Sequence, residues 1–144
     1  MKIKVKYFNQ EINKVEIIKQ GNWIDLRAAE DIKLSQFEST LIPLGVGMKL
    51  PDGYEAILSP RSSTFSKYGI IQTNSIGVID NSYSGNEDQW KMPVVALRDT
   101  HIKKNERIAQ FRIIKSMDRE NLTITQVQQL DKDSRGGFGS TGVK

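Results

Sequence analysis

Short apolar runs, each closed by turn residues, set the terms on which this chain can fold. In residues 2–7 lysines alternate with Ile3, Val5 and Tyr7. A period of two places the lysines on one face of a strand and the apolar groups on the other. Further runs occupy 41–50, 54–58, 69–73, 94–97, 107–114 and 122–127, with turn chemistry such as Pro51-Asp52-Gly53 and Ser84-Gly85-Asn86 between them. Many short strands with regular punctuation predict an all-β sandwich or barrel. One short helix is expected: Ser62 or Ser63 caps Thr64 to Tyr68, and Gly69 supplies a left-handed stop.

Composition then removes whole classes of chemistry. At 144 residues the chain has the length of one domain, without room for a separate cofactor domain. With no cysteine there are no disulfides, thiol nucleophiles or sulfur-ligated metals. The one histidine, His101, lies in a polar connection and reads as a solvated bystander. A net charge of +4 tolerates anionic partners, but the basic residues are scattered and give no nucleic-acid footprint. No apolar run approaches a membrane span, and the lysines of MKIKVKYF break the stretch a signal peptide needs, so a soluble cytoplasmic protein without a membrane partner is expected. Residues 131–144, rich in Gly, Ser and Asp, read as a mobile tail on a β domain spanning residues 1–130.

Five segments carry candidate chemistry. Arg135-Gly-Gly-Phe-Gly-Ser-Thr-Gly142 offers a guanidinium, two hydroxyls and glycine-rich backbone donors, a set suited to phosphate oxygens. It also fits G-x-G-x-x-G, but only Val143 and Lys144 follow where a helix would be needed. Taken alone, it reads either as a flexible terminus or as a flap over a phosphate. Pro60-Arg-Ser-Ser63 stands at a strand end and opens the helix, so it is either an anion site favoured by the helix dipole or a cap beside a surface arginine. Asn74 to Gly85 delivers Asp80 at the end of an apolar run and Tyr83 three residues on. Asp80 could orient a water, or could be a turn residue bonding its own backbone. Asp25, after Trp23-Ile24, is equally open, and Gln110 is a polar residue inside an apolar strand that faces water or bonds something specific.

Asp25-Leu-Arg-Ala-Ala29, Pro60-Arg-Ser-Ser63, Gly77-Val-Ile-Asp-Asn-Ser-Tyr-Ser-Gly85, Glu106-Arg-Ile-Ala-Gln110 and Arg135 to Gly142 together resemble, in order, the five motifs of the trimeric dUTPase family. The resemblance covers nearly the whole chain and is similar in length to bacterial and phage members. It implies a jelly-roll-like subunit and hydrolysis of dUTP to dUMP and pyrophosphate by water attack at the α-phosphorus, which keeps uracil out of DNA and supplies dUMP. It makes Asp80 the general base and packs Tyr83 on the deoxyribose. Asn74 and the backbone of Gly77, Val78 and Ile79 would read the uracil edge. Arg61, Ser62, the backbone of Ser63, and Gln110 would hold the phosphates, joined by Arg135, Gly139, Ser140 and Thr141 when the tail closes and Phe138 stacks on uracil. Mg²⁺ would ride on the substrate phosphates with no direct protein ligand, and Asp25 would act through its waters or by ordering neighbours. The resemblance also implies a homotrimer in which each active site draws on more than one chain.

The chain departs from the family pattern in four places. Asn22-Trp23 precedes Asp25 where smaller residues are usual, Ser63 replaces a common glycine, the interval from Arg135 to Phe138 is two residues short, and the segment from Gly85 to Pro93 is longer and carries Trp90 and Met92. Trp90 is expected at an interface, or as a rival to Phe138 over the base. Two other readings share the fold: a dCTP deaminase, for which Glu87 is the one candidate base, and a phage-type regulatory protein that uses the nucleotide as a switch.

Overall fold

The computed structural model describes all 144 residues. Its strands are β1 (Lys4–Tyr7), β2 (Ile24–Arg27), β3 (Ile32–Leu34), β4 (Ser39–Pro43), β5 (Val46–Lys49), β6 (Tyr54–Pro60), β7 (Ile70–Gln72), β8 (Gly77–Ile79), β9 (Lys91–Ala96), β10 (Thr100–Ile102) and β11 (Arg107–Lys115), with α1 (Thr64–Tyr68) between β6 and β7. They form a four-stranded sheet in the order β2-β11-β6-β8, a three-stranded sheet β4-β9-β7, and the ribbons β1-β5 and β10-β3, every pairing antiparallel. This is the expected all-β, jelly-roll-like architecture.

Alternation decides which side chains enter the core. Met92, Val94 and Ala96 of β9 and Ala56 and Leu58 of β6 point inward, while their chain neighbours are exposed or half-buried. Both larger sheets feed one apolar cluster, at whose centre Trp90 and Phe111 meet edge to face with ring centroids 5.2 Å apart. Trp90 is fully buried inside this subunit, so it lies neither at an interface nor over a nucleobase. Its neighbours explain why: the Trp90 N–H donates to the Val46 carbonyl and its own carbonyl accepts from Leu44, drawing the ring inward. Trp23, by contrast, is half-buried under the Arg112 guanidinium, 5.6 Å from the ring centroid.

Three local expectations change. The run 41–50 divides into β4 and β5 at Gly45, whose φ of 74° turns the chain as few other residues could. Helix α1 ends on left-handed Gly69 as expected, but no serine hydroxyl caps its start. Thr64 instead ties the preceding turn to β11: its hydroxyl accepts from the Arg61 N–H at 2.9 Å and donates to the Ile108 carbonyl at 2.8 Å. Ser63 has φ −95°, so the family's glycine is not needed there. Finally, 122–127 forms no strand; Leu122, Ile124 and Val127 are exposed, because no strand edge of this chain accepts them. The last backbone tie of the C-terminal segment to the body is Ser116 N–H to the Gly53 carbonyl.

Candidate active site

The first group of candidate residues is assembled by three adjacent strands. Gln110 on β11 stands opposite Asp25 on β2 and Ser59 on β6, which brings the first, second and fourth segments to one end of one sheet. A β-bulge between Arg107 and Ala109 inserts Ile108 as an extra residue. Strict alternation would put Arg107 and Gln110, three apart, on opposite faces; the bulge returns them to the same one. Asp25 then binds two guanidinium groups, Arg61 Nε to Oδ1 at 3.0 Å and Arg107 Nη1 to Oδ2 at 3.1 Å. Gln110 Nε2 donates to the Pro60 carbonyl at 3.0 Å and fixes the backbone just before Arg61.

Two guanidinium groups on one carboxylate leave a net positive charge. Binding Arg61 through Nε leaves both its terminal amino groups to face an anion. Beside them, the Ser62 and Ser63 N–H groups have no acceptor in the chain. The nearby Tyr68 hydroxyl is buried without an aligned partner. Burial, and then the Glu106 carboxylate, push its pKa up to about 12, so it stays a neutral phenol.

The second group lies elsewhere. β8 pairs with β6 so that Gly77 faces Leu58 and Ile79 faces Ala56. Asp80 therefore emerges beside Glu55, six residues before Arg61, or about 20 Å along the strand at ~3.3 Å per residue. Its Oδ1 accepts from the Ser82 N–H at 2.9 Å and from the Ser82 hydroxyl at 2.5 Å. These bonds, the hydroxyl's first, hold the exposed carboxyl below its ordinary pKa. The turn is pinned by Asn81, whose Nδ2 donates to the Pro51 and Tyr54 carbonyls. Tyr83 is partly exposed and donates its hydroxyl to the Gln89 carbonyl at 2.9 Å. Asn74 is exposed in the turn between β7 and β8, with Val78 exposed on β8 and Gly77 buried.

Arg135, Phe138, Gly139, Ser140 and Thr141 are all exposed, and hydrogen bonds in this segment stay within residues 134–142. One chain thus presents three separate groups: the guanidinium end, the aspartate turn and the tail. Three residues escape a reading of the sequence as candidates. Arg107 was visible inside the fourth segment, but only the bulge reveals its direction. Ser82 was legible as the residue two beyond Asp80. Gln72, a buried amide behind Asn74, carries the same signal as Gln110, a polar residue inside an apolar run. No three acidic or histidine side chains converge, and the Asp25 carboxylate is shared between Arg61 and Arg107.

A dUTPase family model matches residues 19–142. The chain is 54% identical over its full length to the full length of the SPbeta prophage-derived deoxyuridine 5'-triphosphate nucleotidohydrolase of Bacillus subtilis. It is 38% identical to the deoxyuridine 5'-triphosphate nucleotidohydrolase of Finegoldia magna, covering 97% of this chain and 99% of that one. Among solved structures, the dUTPase of Staphylococcus bacteriophage 80alpha with dUpNHpp superposes with a TM-score of 0.79 over 99% of both chains at 22% identity. The dUTPase of Streptococcus mutans gives 0.69 over 78% of this chain and 95% of that one, at 23% identity. These two likenesses speak to the fold.

Proposed function

This chain belongs to the dUTPase family, and we propose on that basis that it hydrolyses dUTP to dUMP and pyrophosphate, with the roles of its residues divided between the groups just described. The family match over residues 19–142 carries the reading, because every candidate site residue falls within it.

Asp80 acts as the general base. Ser82 occupies Oδ1 and keeps the carboxyl ionised, leaving Oδ2 to orient a water and take its proton as oxygen attacks the α-phosphorus. A base of this kind contributes roughly 10²–10⁴-fold. Asn74 and the β8 backbone read the uracil edge, and Tyr83 packs against the deoxyribose, where a 2′-hydroxyl would not fit. Arg61, with Ser62, Ser63 and Gln110, holds the triphosphate, and Arg107 keeps the Asp25–Arg61 pair in place. The main task at this end is charge stabilisation, since anionic phosphate oxygens repel an incoming nucleophile. The family uses a divalent metal; Mg²⁺ bound through the substrate phosphates beside Arg61 and Gln110 would supply further charge neutralisation there.

The roughly 20 Å between Asp80 and Arg61 exceeds what one chain can bridge around a single phosphorus. That separation supports a homotrimer in which the Asp80 group of one copy faces the arginine group of another. The unpaired 122–127 segment, with Leu122, Ile124 and Val127 exposed, supports it too, as an arm that can find a strand edge on a neighbour. The tail then closes over the nucleotide, Phe138 stacking on uracil and Arg135, Gly139, Ser140 and Thr141 supplying donors.

Pyrophosphate release from dUTP, dTTP, dCTP and UTP tests the proposal. A preference for dUTP of about 10²-fold or more is expected, because cytosine leaves polar groups unpaired, the thymine methyl overfills the slot and the 2′-hydroxyl of UTP meets Tyr83. Comparable release from UTP or dCTP, or ammonia release from dCTP, would overturn it.

A further inference from the structure

Gln72 closes β7 with only 4% of its surface exposed. Its Nε2 lies 3.3 Å from the Leu58 carbonyl of β6 and 2.8 Å from Asn74 Oδ1. These contacts admit only one polarity. A backbone carbonyl can only accept, so the Gln72 atom facing Leu58 is the amide nitrogen. Its second hydrogen must also meet an acceptor, so the Asn74 atom facing it is the oxygen. Asn74 is thereby left with its NH₂ group outward, and that group has no partner in the chain. The turn backbone is held as well: Thr73 N–H donates to the Pro93 carbonyl and Ser75 N–H to the Gln72 carbonyl. Opposite, Gly77 leaves the space the amide uses; a Cβ there would stand 2.9 Å from Leu58 Cβ and 3.4 Å from Gln72 Nε2.

Building on the uracil site proposed above, we infer that Gln72 is a positioning residue that locks the Asn74 amide as a donor and so sets the preference for uracil over cytosine. A fixed NH₂ group matches the C4 carbonyl of uracil and opposes the C4 amino group of cytosine. An unclamped asparagine could turn its amide over and accept from cytosine. A clamped one loses its bond to Gln72 if it turns. Packing alone does not call for an amide here, since Gln72 Oε1 is itself buried without a donor and an unbranched apolar side chain would carry no such orphan.

The test is Gln72→Met, which keeps length and volume and removes the clamp. The variant is expected to melt at or above the parent's temperature, while the ratio of kcat/KM for dUTP to that for dCTP falls about tenfold, the loss on dUTP appearing in KM. A merely structural role would slow both substrates alike and lower the melting temperature. An unchanged ratio, with the parent still selecting dUTP, overturns the role of Gln72 and leaves the proposed function standing; a parent inactive on dUTP overturns both. Should Gln72→Met fail to fold, side-chain amide NMR of the parent titrated with dUMP decides. Displacement of the Asn74 NH₂ signals by dUMP but not by dCMP supports the clamp, and signals unmoved by dUMP refute it.

Discussion

Near the Pro60 end of β6, the Asp25 carboxylate joins Arg61 to Arg107, which lies 82 residues from Asp25 in the chain, whereas near the Tyr54 end the Asp80 carboxylate bonds only Ser82, two residues on. The first arrangement exists only when three strands are paired, and its charges are partly withdrawn from water. In the second the carboxylate bonds only inside its own turn, and it is Asn81, not Asp80, that ties that turn to the Pro51 and Tyr54 carbonyls. A change at the arginine end should therefore disturb stability and binding together, while a change at the aspartate turn should alter chemistry and leave the fold alone.

The largest expected effect tests that division directly. Asp80→Asn should lower kcat about 10³-fold with an unchanged melting temperature, because the exposed side chain supports nothing but its own turn; pyrophosphate release and thermal melting measure the two quantities. Ending the chain after Ser134 should cost about 10²-fold in kcat, again without loss of stability, since 134–142 bonds only within itself. Mixing these two inactive forms sharpens the comparison. Hybrid trimers should recover part of the activity if the groups meet across chains, and strict additivity of two inactive preparations would refute shared sites.

Smaller effects are expected where the arginine end is touched. Asp25→Ala strands two half-exposed guanidinium groups and should cost about 1–2 kcal/mol of stability in a denaturant melt and about tenfold in kcat/KM, mostly through KM. Equal Tm for parent and variant would mean that the ion pairs do not brace the sheet. Ser82→Ala is the mildest change. Ser82 depresses the Asp80 pKa, so removing its hydroxyl moves the acidic limb of the rate profile to higher pH, because the base becomes protonated sooner as pH falls. Rates near neutrality should stay within about twofold. A limb that stays put would remove the hydroxyl from the control of this carboxyl.

How well each group could be foreseen follows from the range of the contacts that build it. The β1 alternation, the Gly69 stop and the Asp80–Ser82 bonds depend on residues within a few positions of one another, and all are legible in the chain. The 122–127 segment has the pattern of a strand but no partner within the subunit, so local propensity alone mispredicts it. Trp90 misled for a related reason: an aromatic residue in a polar loop reads as one held for an interface or a base until β5 is placed beside it.

Residue order and type alone determined that the chain would form short strands in an all-β domain, that Asp80 would stand at a strand end two residues before a serine, and that five segments would match one family, because period, turn chemistry and motif spacing are local properties. Only the tertiary structure decided that Asp25 would be shared between Arg61 and Arg107, that the bulge at Ile108 would turn Arg107 and Gln110 to one face, and that Asp80 would lie far from both. The physical reason is strand register: shifting the pairing by one residue exchanges the faces of every side chain in a strand, and register is fixed by packing between segments that the sequence keeps far apart.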